Sequence, residues 1–543
     1  MMPLEGETNF QVARLNKIDF ALALIIFVAM FAASLAFCIP GVAGTFHDDG
    51  VYINVSKALA AGDGYRIISF PGEPAQMKYP ILYPLILAAV WIVHPRFPDN
   101  LIGLQLVSVF SASAFLSLSY LYLVRFNYAS RVVALCACLI CLTIPGFAFF
   151  GGQVLSEMPF ALSLIGCLWA LDAYCEKQPK SFLAQEVVGL AITLPASIRL
   201  IGWVAPTAAL IILWRRRLLS RTLVFSALVG SLLSTSHVVM GMSSKTGGAS
   251  DRIQSYQDSY LEWAIKLGLW NEVAIVSKNL QETLALTTKT LFCGLSQGIE
   301  PTPINFILFT AGGLVSWFFV VYRVKNLKPL SMVVVAYAVV VLCWPWPPFR
   351  FLIPLLPFLT AGLLSFSEFC LAKVNTRLQS AIVLLAVAMM ATNAKLMNNV
   401  ITYNHATQMP LISVPRNGTD WSGYLAVLDW VKRNTVADDT LACTYDGLTY
   451  LYTGRRCIRP YELNIAAAYY GQEAPPLGTL DELAESLKRY KVQYLIVTPQ
   501  PGYAEEGLAY KLANDLGKEY RGQVAPAYIS KDGRFFVLRT RFD

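Results

Sequence analysis

The stretch YPILYPLILAAVWIV, Tyr79–Val93, decides how the rest of the chain is disposed. If it crosses a bilayer, every later residue changes side; if it does not, none does. It is 15 residues long, opens on Tyr79-Pro80 and carries Pro84 inside. A spanning helix needs about 20 apolar residues, so this one reads as a partly buried or interfacial helix. The charges agree. If Tyr79–Val93 stays on one side, Arg14, Lys17, Arg125, Arg131, Lys177, Lys180, Arg215, Arg216, Arg217, Arg221, Arg323, Lys325, Lys328, Lys373 and Arg377 all face one compartment. By the positive-inside rule that compartment is the cytoplasm.

Working outward, the runs Ile18–Ala43, Leu101–Val124, Val132–Phe150, Met158–Tyr174, Leu183–Ser197, Leu200–Trp214, Thr222–Met242, Ile304–Tyr322, Leu330–Trp344, Phe351–Leu371 and Leu378–Met397 read as about eleven transmembrane helices. The N-terminus is then cytoplasmic and the C-terminus extracytoplasmic. Composition supports a bilayer: of 543 residues 55% are hydrophobic and 14% charged, against about 25% charged in soluble domains. The first run lacks a small-residue cleavage site and reads as a retained span. The net charge of +8 sits in short turns between spans, an orientation signal that points away from nucleic acid. The eleven cysteines lie mostly in apolar runs and show no metal-site spacing. Cys443 and Cys457 are open to two readings, a disulfide or two unrelated thiols.

Residues 1–402 form the expected membrane part, with a first outer loop and juxtamembrane helices at 44–95 and a second outer segment at 243–302. The latter reads as two amphipathic helices, Tyr256–Leu269 and Asn271–Leu291, with Trp263 and Trp270 suited to an interface. From residue 403 the composition becomes soluble. LAVLDWVKRNT reads as a helix, DDTLACTYD as a turn and buried strand, LDELAESLKRYKVQYLIVTP as helix, turn and strand, and GRFFVLRTRF as a strand. The alternation predicts a small extracytoplasmic α/β domain over 403–543. The sequons at Asn54 and Asn417 read as chance.

On this topology Asp48, Asp49, Glu157, Lys78, Arg199 and Arg350 collect at one membrane face. Each cation alone is explained by snorkelling to the interface, and Asp49 alone by the dipole of a helix N-terminus. Together they suit one chemistry. A carboxylate deprotonates a hydroxyl as general base, and lysine and arginine stabilise an anionic leaving group. A lipid-linked sugar phosphate places that leaving group at this depth.

The ordered set resembles the C-type (GT-C fold) membrane glycosyltransferases that use polyprenyl-phosphate sugars, in particular the protein O-mannosyltransferase and aminoarabinose transferase group. The motifs are HDDGVYINVSKALAAGDGY after the first span, MKYPILYPLILA at the juxtamembrane helix, LSEMPFAL, ASIRLIGW and RFLIPLLPFL. Two positions depart from the pattern: Asp49 stands for Glu, and Tyr79-Pro80 for Pro-Pro. The resemblance implies Asp48 as catalytic base, Asp49 positioning Asp48 or the acceptor, and Glu157 as a second acid. It implies Lys78, Arg199 and Arg350 as the cradle of the donor phosphate. His47 reads as a bystander, able to tune the aspartates.

The implied step is one displacement at the anomeric carbon with inversion, through a transition state of oxocarbenium character. The donor is a polyprenyl-phosphate sugar, with undecaprenyl phosphate favoured. The acceptor is a glycan, lipid or protein hydroxyl, at the outer face of a bacterial inner membrane. The contiguous Asp48-Asp49 is not the Asp-X-Asp signature of soluble nucleotide-sugar enzymes, so no cofactor and no obligatory metal is expected, although oligosaccharyltransferases of the same superfold use a divalent ion. The alternatives are a transporter, whose ionisable residues tend to lie near the midplane, and a non-catalytic protein that binds lipid-linked sugar.

Overall fold

The computed structural model describes residues 13–39, 42–242, 269–300, 302–322, 326–344, 346–372, 379–414, 421–461, 463–471, 473–499 and 507–542. The chain is mostly helical. Among the described residues six helices are long and apolar enough to cross a membrane: α1 (Lys17–Leu35), α4 (Leu101–Arg125), α7 (Glu157–Lys177), Pro303–Val321, Phe349–Cys370 and Ile382–Thr407. The expected single span Val132–Phe150 is broken into α5 (Arg131–Thr143) and α6 (Pro145–Gly152), bent by 68°. Pro145 is the cause, because it has no N–H to continue the ladder and its ring crowds the preceding turn. Counting this pair as one span gives seven. Leu82–Val93, Phe182–Ser197, Leu200–Arg215 and Pro329–Leu342 are shorter apolar helices.

Local chemistry fixes the helix ends that matter. The start of α1 is a capping box: Asn16 accepts from the Asp19 amide and Asp19 accepts from the Asn16 amide. Helix α2 (Asp48–Ala61) begins on the aspartate pair and stops at Gly62, whose φ of 85° ends it in the left-handed region. Helix α3 (Leu82–Val93) is the 12-residue element within the deciding stretch. The amphipathic helix expected at Asn271–Leu291 is observed as Leu269–Leu291. The one expected over Tyr256–Leu269, with Trp263, lies outside the described residues but for Leu269, as does the sequon asparagine Asn417.

The helix Gln379–Thr407 runs across residue 402, so the change of composition falls inside a helix. Beyond it lies a five-stranded sheet of β1 (Leu441–Cys443), β2 (Cys457–Ile458), β3 (Tyr494–Val497), β4 (Val524–Ile529) and β5 (Phe536–Thr540), in the order β2-β1-β3-β5-β4. Strand β1 runs parallel to β2 and β3 (Leu441 opposite Cys457 and Tyr494), and β5 runs antiparallel to β3 and β4. Cys443 and Cys457 are free, buried thiols.

Helix α2 joins the two parts of the molecule. Its Tyr52 and Ile53 belong to the apolar cluster of the long helices. Its Val51 and Val55, with Ile67 and Phe70 of the following loop, belong to the cluster of Ala442, Ile458, Leu495 and Leu538 under the sheet. The first loop is therefore core on both faces, and Asp48 is held at the seam.

Candidate active site

Three breaks in regular structure deliver the charged side chains. Asp48 and Glu157 are the first residues of α2 and α7, where the unpaired amides of a helix N-terminus favour a carboxylate. Arg199 lies in extended backbone (φ −141°, ψ 142°) between the 3-10 turns Leu194–Ser197 and Leu200–Trp203. Pro195 ends the preceding helix, and the chain folds so tightly that a Cβ on Gly202 would lie 2.2 Å from the Pro195 carbonyl carbon. Arg350 rides on the single turn Phe349–Leu352, which follows Pro347-Pro348 and is cut short by Pro354.

These side chains meet. Arg350 Nη2 lies 2.9 Å from Asp48 Oδ2 and 2.6 Å from Glu157 Oε1, and Arg350 Nε donates to the same Glu157 Oε1 at 2.8 Å. Arg199 Nη1 lies 2.9 Å from Glu157 Oε1 and donates to Ser156 Oγ at 3.0 Å. Tyr79 Oη donates to Asp48 Oδ1 at 2.7 Å. Tyr52 Oη bonds Ser156 Oγ at 3.0 Å, and the Tyr52 ring lies 5.0 Å from those of Tyr79 and Tyr83. The Arg199 guanidinium sits over the Phe351 ring at 5.7 Å. Glu157 is 1% exposed and, among the described residues, its Oε2 is buried without a hydrogen-bond partner. Among the described residues one oxygen thus takes the carboxylate's ion pairs and hydrogen bonds and the other takes none.

Burial pushes the Asp48 carboxyl up, but Arg350 first, then His47, Tyr79 and Lys78, outweigh it and hold it well below the usual carboxylate range. The Lys78 Nζ is 6.0 Å from the centre of the Tyr79 ring, whose hydroxyl holds Asp48. Asp49 behaves differently. Its Oδ2 accepts from the Gly44 amide at 2.7 Å and its Oδ1 from the Phe46 and Gly50 amides at 2.9 Å each. Burial pushes its carboxyl up to about 6, against the pull of those three amides. Asp49 therefore spends its oxygens on its own loop.

Asp48, Glu157, Arg199 and Arg350 are thus brought together, Lys78 lies by the Tyr79 ring, and Asp49 is the loop organiser next to Asp48. Sequence reasoning missed Tyr79, Ser156 and Tyr52. Tyr79 had a signal, since it is where the chain departs from Pro-Pro; a phenol beside the carboxylate is what the departure supplies. Asn54 is buried inside α2 and donates to the Gly447 carbonyl at 3.1 Å, which leaves its sequon sterically closed. Among the described residues no group of three or more His, Cys, Asp or Glu side chains is arranged to hold a metal ion.

No protein-family model matches this sequence, and no curated protein matches it. Solved structures do match. The archaeal oligosaccharyltransferase AglB from Archaeoglobus fulgidus, in complex with an inhibitory peptide and a dolichol-phosphate, superposes with a TM-score of 0.54 at 13% identity, over 97% of this chain and 75% of its own. ArnT from Cupriavidus metallidurans bound to undecaprenyl phosphate superposes with a TM-score of 0.50 at 11% identity, over 96% of this chain and 97% of its own. The chain has the fold of the C-type membrane glycosyltransferases, as the resemblance implied, and it is a multi-pass membrane protein.

Proposed function

We propose that this chain is an integral-membrane glycosyltransferase that moves a sugar from a polyprenyl-phosphate donor to an acceptor hydroxyl, with inversion. Asp48 takes the proton from the acceptor hydroxyl. The freed oxygen attacks the anomeric carbon, the bond from that carbon to the phosphate oxygen breaks, and polyprenyl phosphate departs. Arg350, Arg199 and Lys78 hold the phosphate and stabilise the charge it gains on leaving. Glu157 keeps the two guanidiniums at one level, and Asp49 shapes the turn that carries Asp48. Arg350 is at once on the base and on the second acid, and this shared guanidinium is the observation that carries the reading. A phosphate arriving there competes for Arg350, which returns basicity to Asp48 as the donor binds.

In this reading about eleven spans lie within the membrane part, residues 1–402: the seven, the shorter apolar helices other than Leu82–Val93, and Arg221–Met242. Residues 403–543 form an extracytoplasmic α/β domain, and the site faces the outer side of a bacterial inner membrane, where undecaprenyl phosphate is the favoured carrier. Contacts among the basic turns support that sidedness. Arg131 Nη2 donates to the Arg14 carbonyl at 2.9 Å, Arg216 Nη2 to those of Asn326 and Leu327 at 3.1 and 2.9 Å, and Lys328 lies over the Tyr128 ring at 5.6 Å. Turns that meet share a side. The test is sugar transfer from an undecaprenyl-phosphate-linked sugar, with bacterial membranes as the source of acceptor. Wild-type protein transfers and Asp48→Asn does not; unchanged turnover in Asp48→Asn removes Asp48 from the mechanism.

A further inference from the structure

Asp48 follows a residue in an unusual conformation. His47 has φ 64° and ψ −59°, and the Asp48 amide donates across it to the Phe46 carbonyl at 2.7 Å. This is a γ-turn of the strained hand, built on a residue with a Cβ. Such a conformation persists only where the surroundings over-determine it. One restraint is local, the three amides on Asp49. Another comes from 399 positions away: His47 Nδ1 donates to Asp446 Oδ1 at 3.3 Å. Both side chains are enclosed, His47 at 17% and Asp446 at 3% exposure.

Asp446 is firmly seated. It is the first residue of the helix Asp446–Thr453, and the residues after it lie on the first loop in backbone contact. A Cβ on Gly447 would stand 3.1 Å from Gly50 Cα, one on Gly50 would stand 3.3 Å from Gly447 Cα, and one on Gly44 would stand 2.7 Å from Leu448 Cβ. Asn54 Nδ2 holds the Gly447 carbonyl from the next turn of α2. Burial, then Arg459, push the imidazole below its ordinary value, against Asp446 and Asp48. A ring whose Nδ1–H is donated to Asp446 has its plane fixed by that bond.

We propose that Asp446 is a positioning residue of the active site, clamping His47 so that the strained turn aims the Asp48 carboxylate, and that residues 446–448 are in this way part of the catalytic centre. The proposal rests on the reading of Asp48 as the base. Nothing in the sequence pairs these positions.

The test uses the full chain in lipid nanodiscs, with release of undecaprenyl phosphate from an undecaprenyl-phosphate-linked sugar as the readout and bacterial membranes as the source of acceptor. Asp446→Ala lowers kcat by about ten- to a hundredfold, the scale of a small misplacement of a reacting group, with donor KM held to about twofold. Asp446→Asn, which keeps the accepting oxygen, restores most of the loss. His47→Gly, which tolerates the turn but lacks the imidazole, loses kcat to a similar degree, and adding Asp446→Ala to it costs little more because both act through one contact. Wild-type kcat in Asp446→Ala, additive losses, or equal losses in the Ala and Asn variants would each overturn the clamp. If Asp48→Asn is dead while Asp446→Ala is fully active, the clamp alone fails. If Asp48→Asn turns over like wild type, the reading beneath it fails as well.

Discussion

Helix α7 has ionic groups at both ends, and the two ends are built differently. At its last turn Glu176 takes one partner, Arg125, through both oxygens at 3.1 and 3.0 Å. Nearby, Asp19 is saturated: Tyr120 and Arg131 donate to Oδ1, and Arg131 and the Asn16 amide to Oδ2. Arg131 is 48% exposed, so solvent screens that pair. At the first turn of α7, Glu157 Oε1 serves two arginines while Oε2, among the described residues, serves none, and Arg350 divides itself between two carboxylates. The ion pairs at the far end are matched, as structural ion pairs are, although Asp172 one turn earlier takes Tyr122 and Tyr128 on Oδ2 and, among the described residues, nothing on Oδ1. The other end is buried and unevenly shared, so its cations have somewhere else to go when an anion arrives. Buried polar atoms are nearly always satisfied, and at this end the unsatisfied oxygen lies on a carboxylate held by two arginines.

That contrast can be broken at several points. The largest effect expected is on Asp48→Asn, with transfer reduced by about a thousandfold, within the range for loss of a general base, and with folding intact by thermal melt. Next comes Arg350→Gln, which weakens undecaprenyl phosphate binding by about ten- to a hundredfold in native mass spectrometry, as loss of a charge-assisted contact does. Arg131→Gln, at the matched end, leaves that binding unchanged; equal weakening in both would erase the distinction between the ends. Sidedness has its own test. Cys343, near the site, and Cys370, at the far end of its helix, are both exposed. An impermeant thiol reagent on intact cells labels Cys343 and spares Cys370, and the reverse pattern inverts the topology.

The smallest effect is a pH slope. Asp49 titrates near 6 in the folded chain, above its ordinary 3.8. The folded state therefore holds this proton more tightly than the unfolded state. Its contribution to stability is complete below about pH 4 and is lost as pH rises through about 6, at most about 3 kcal/mol. The melting temperature of wild type should fall over that window relative to Asp49→Asn; parallel curves would remove Asp49 as the source.

Much of this was legible in the sequence because membranes constrain it. The lengths of apolar runs expose the membrane character, and Leu82–Val93 is indeed short. The charged residues of the candidate site could be proposed only as a set gathered at one membrane face, since each cation alone reads as snorkelling. What stayed hidden depends on three-dimensional proximity. The kink at Pro145 was visible only as a proline in a continuous run. Tyr79 needed its distance to Asp48. Asp446 looks like any helix-opening acid until the fold sets it beside His47. Adjacent letters do not reveal that Asp48 faces Arg350 and Tyr79 while Asp49 faces its own backbone.

The most direct measurement is a cryo-EM map of the full chain in nanodiscs with undecaprenyl phosphate. The account predicts a phosphate within hydrogen-bonding distance of Arg350, with Arg199 and Lys78 around it and Asp48 alongside. A phosphate seated instead at the far end of α7, among Arg125, Arg131 and Arg216, with the Arg350–Asp48 pair undisturbed, would contradict it.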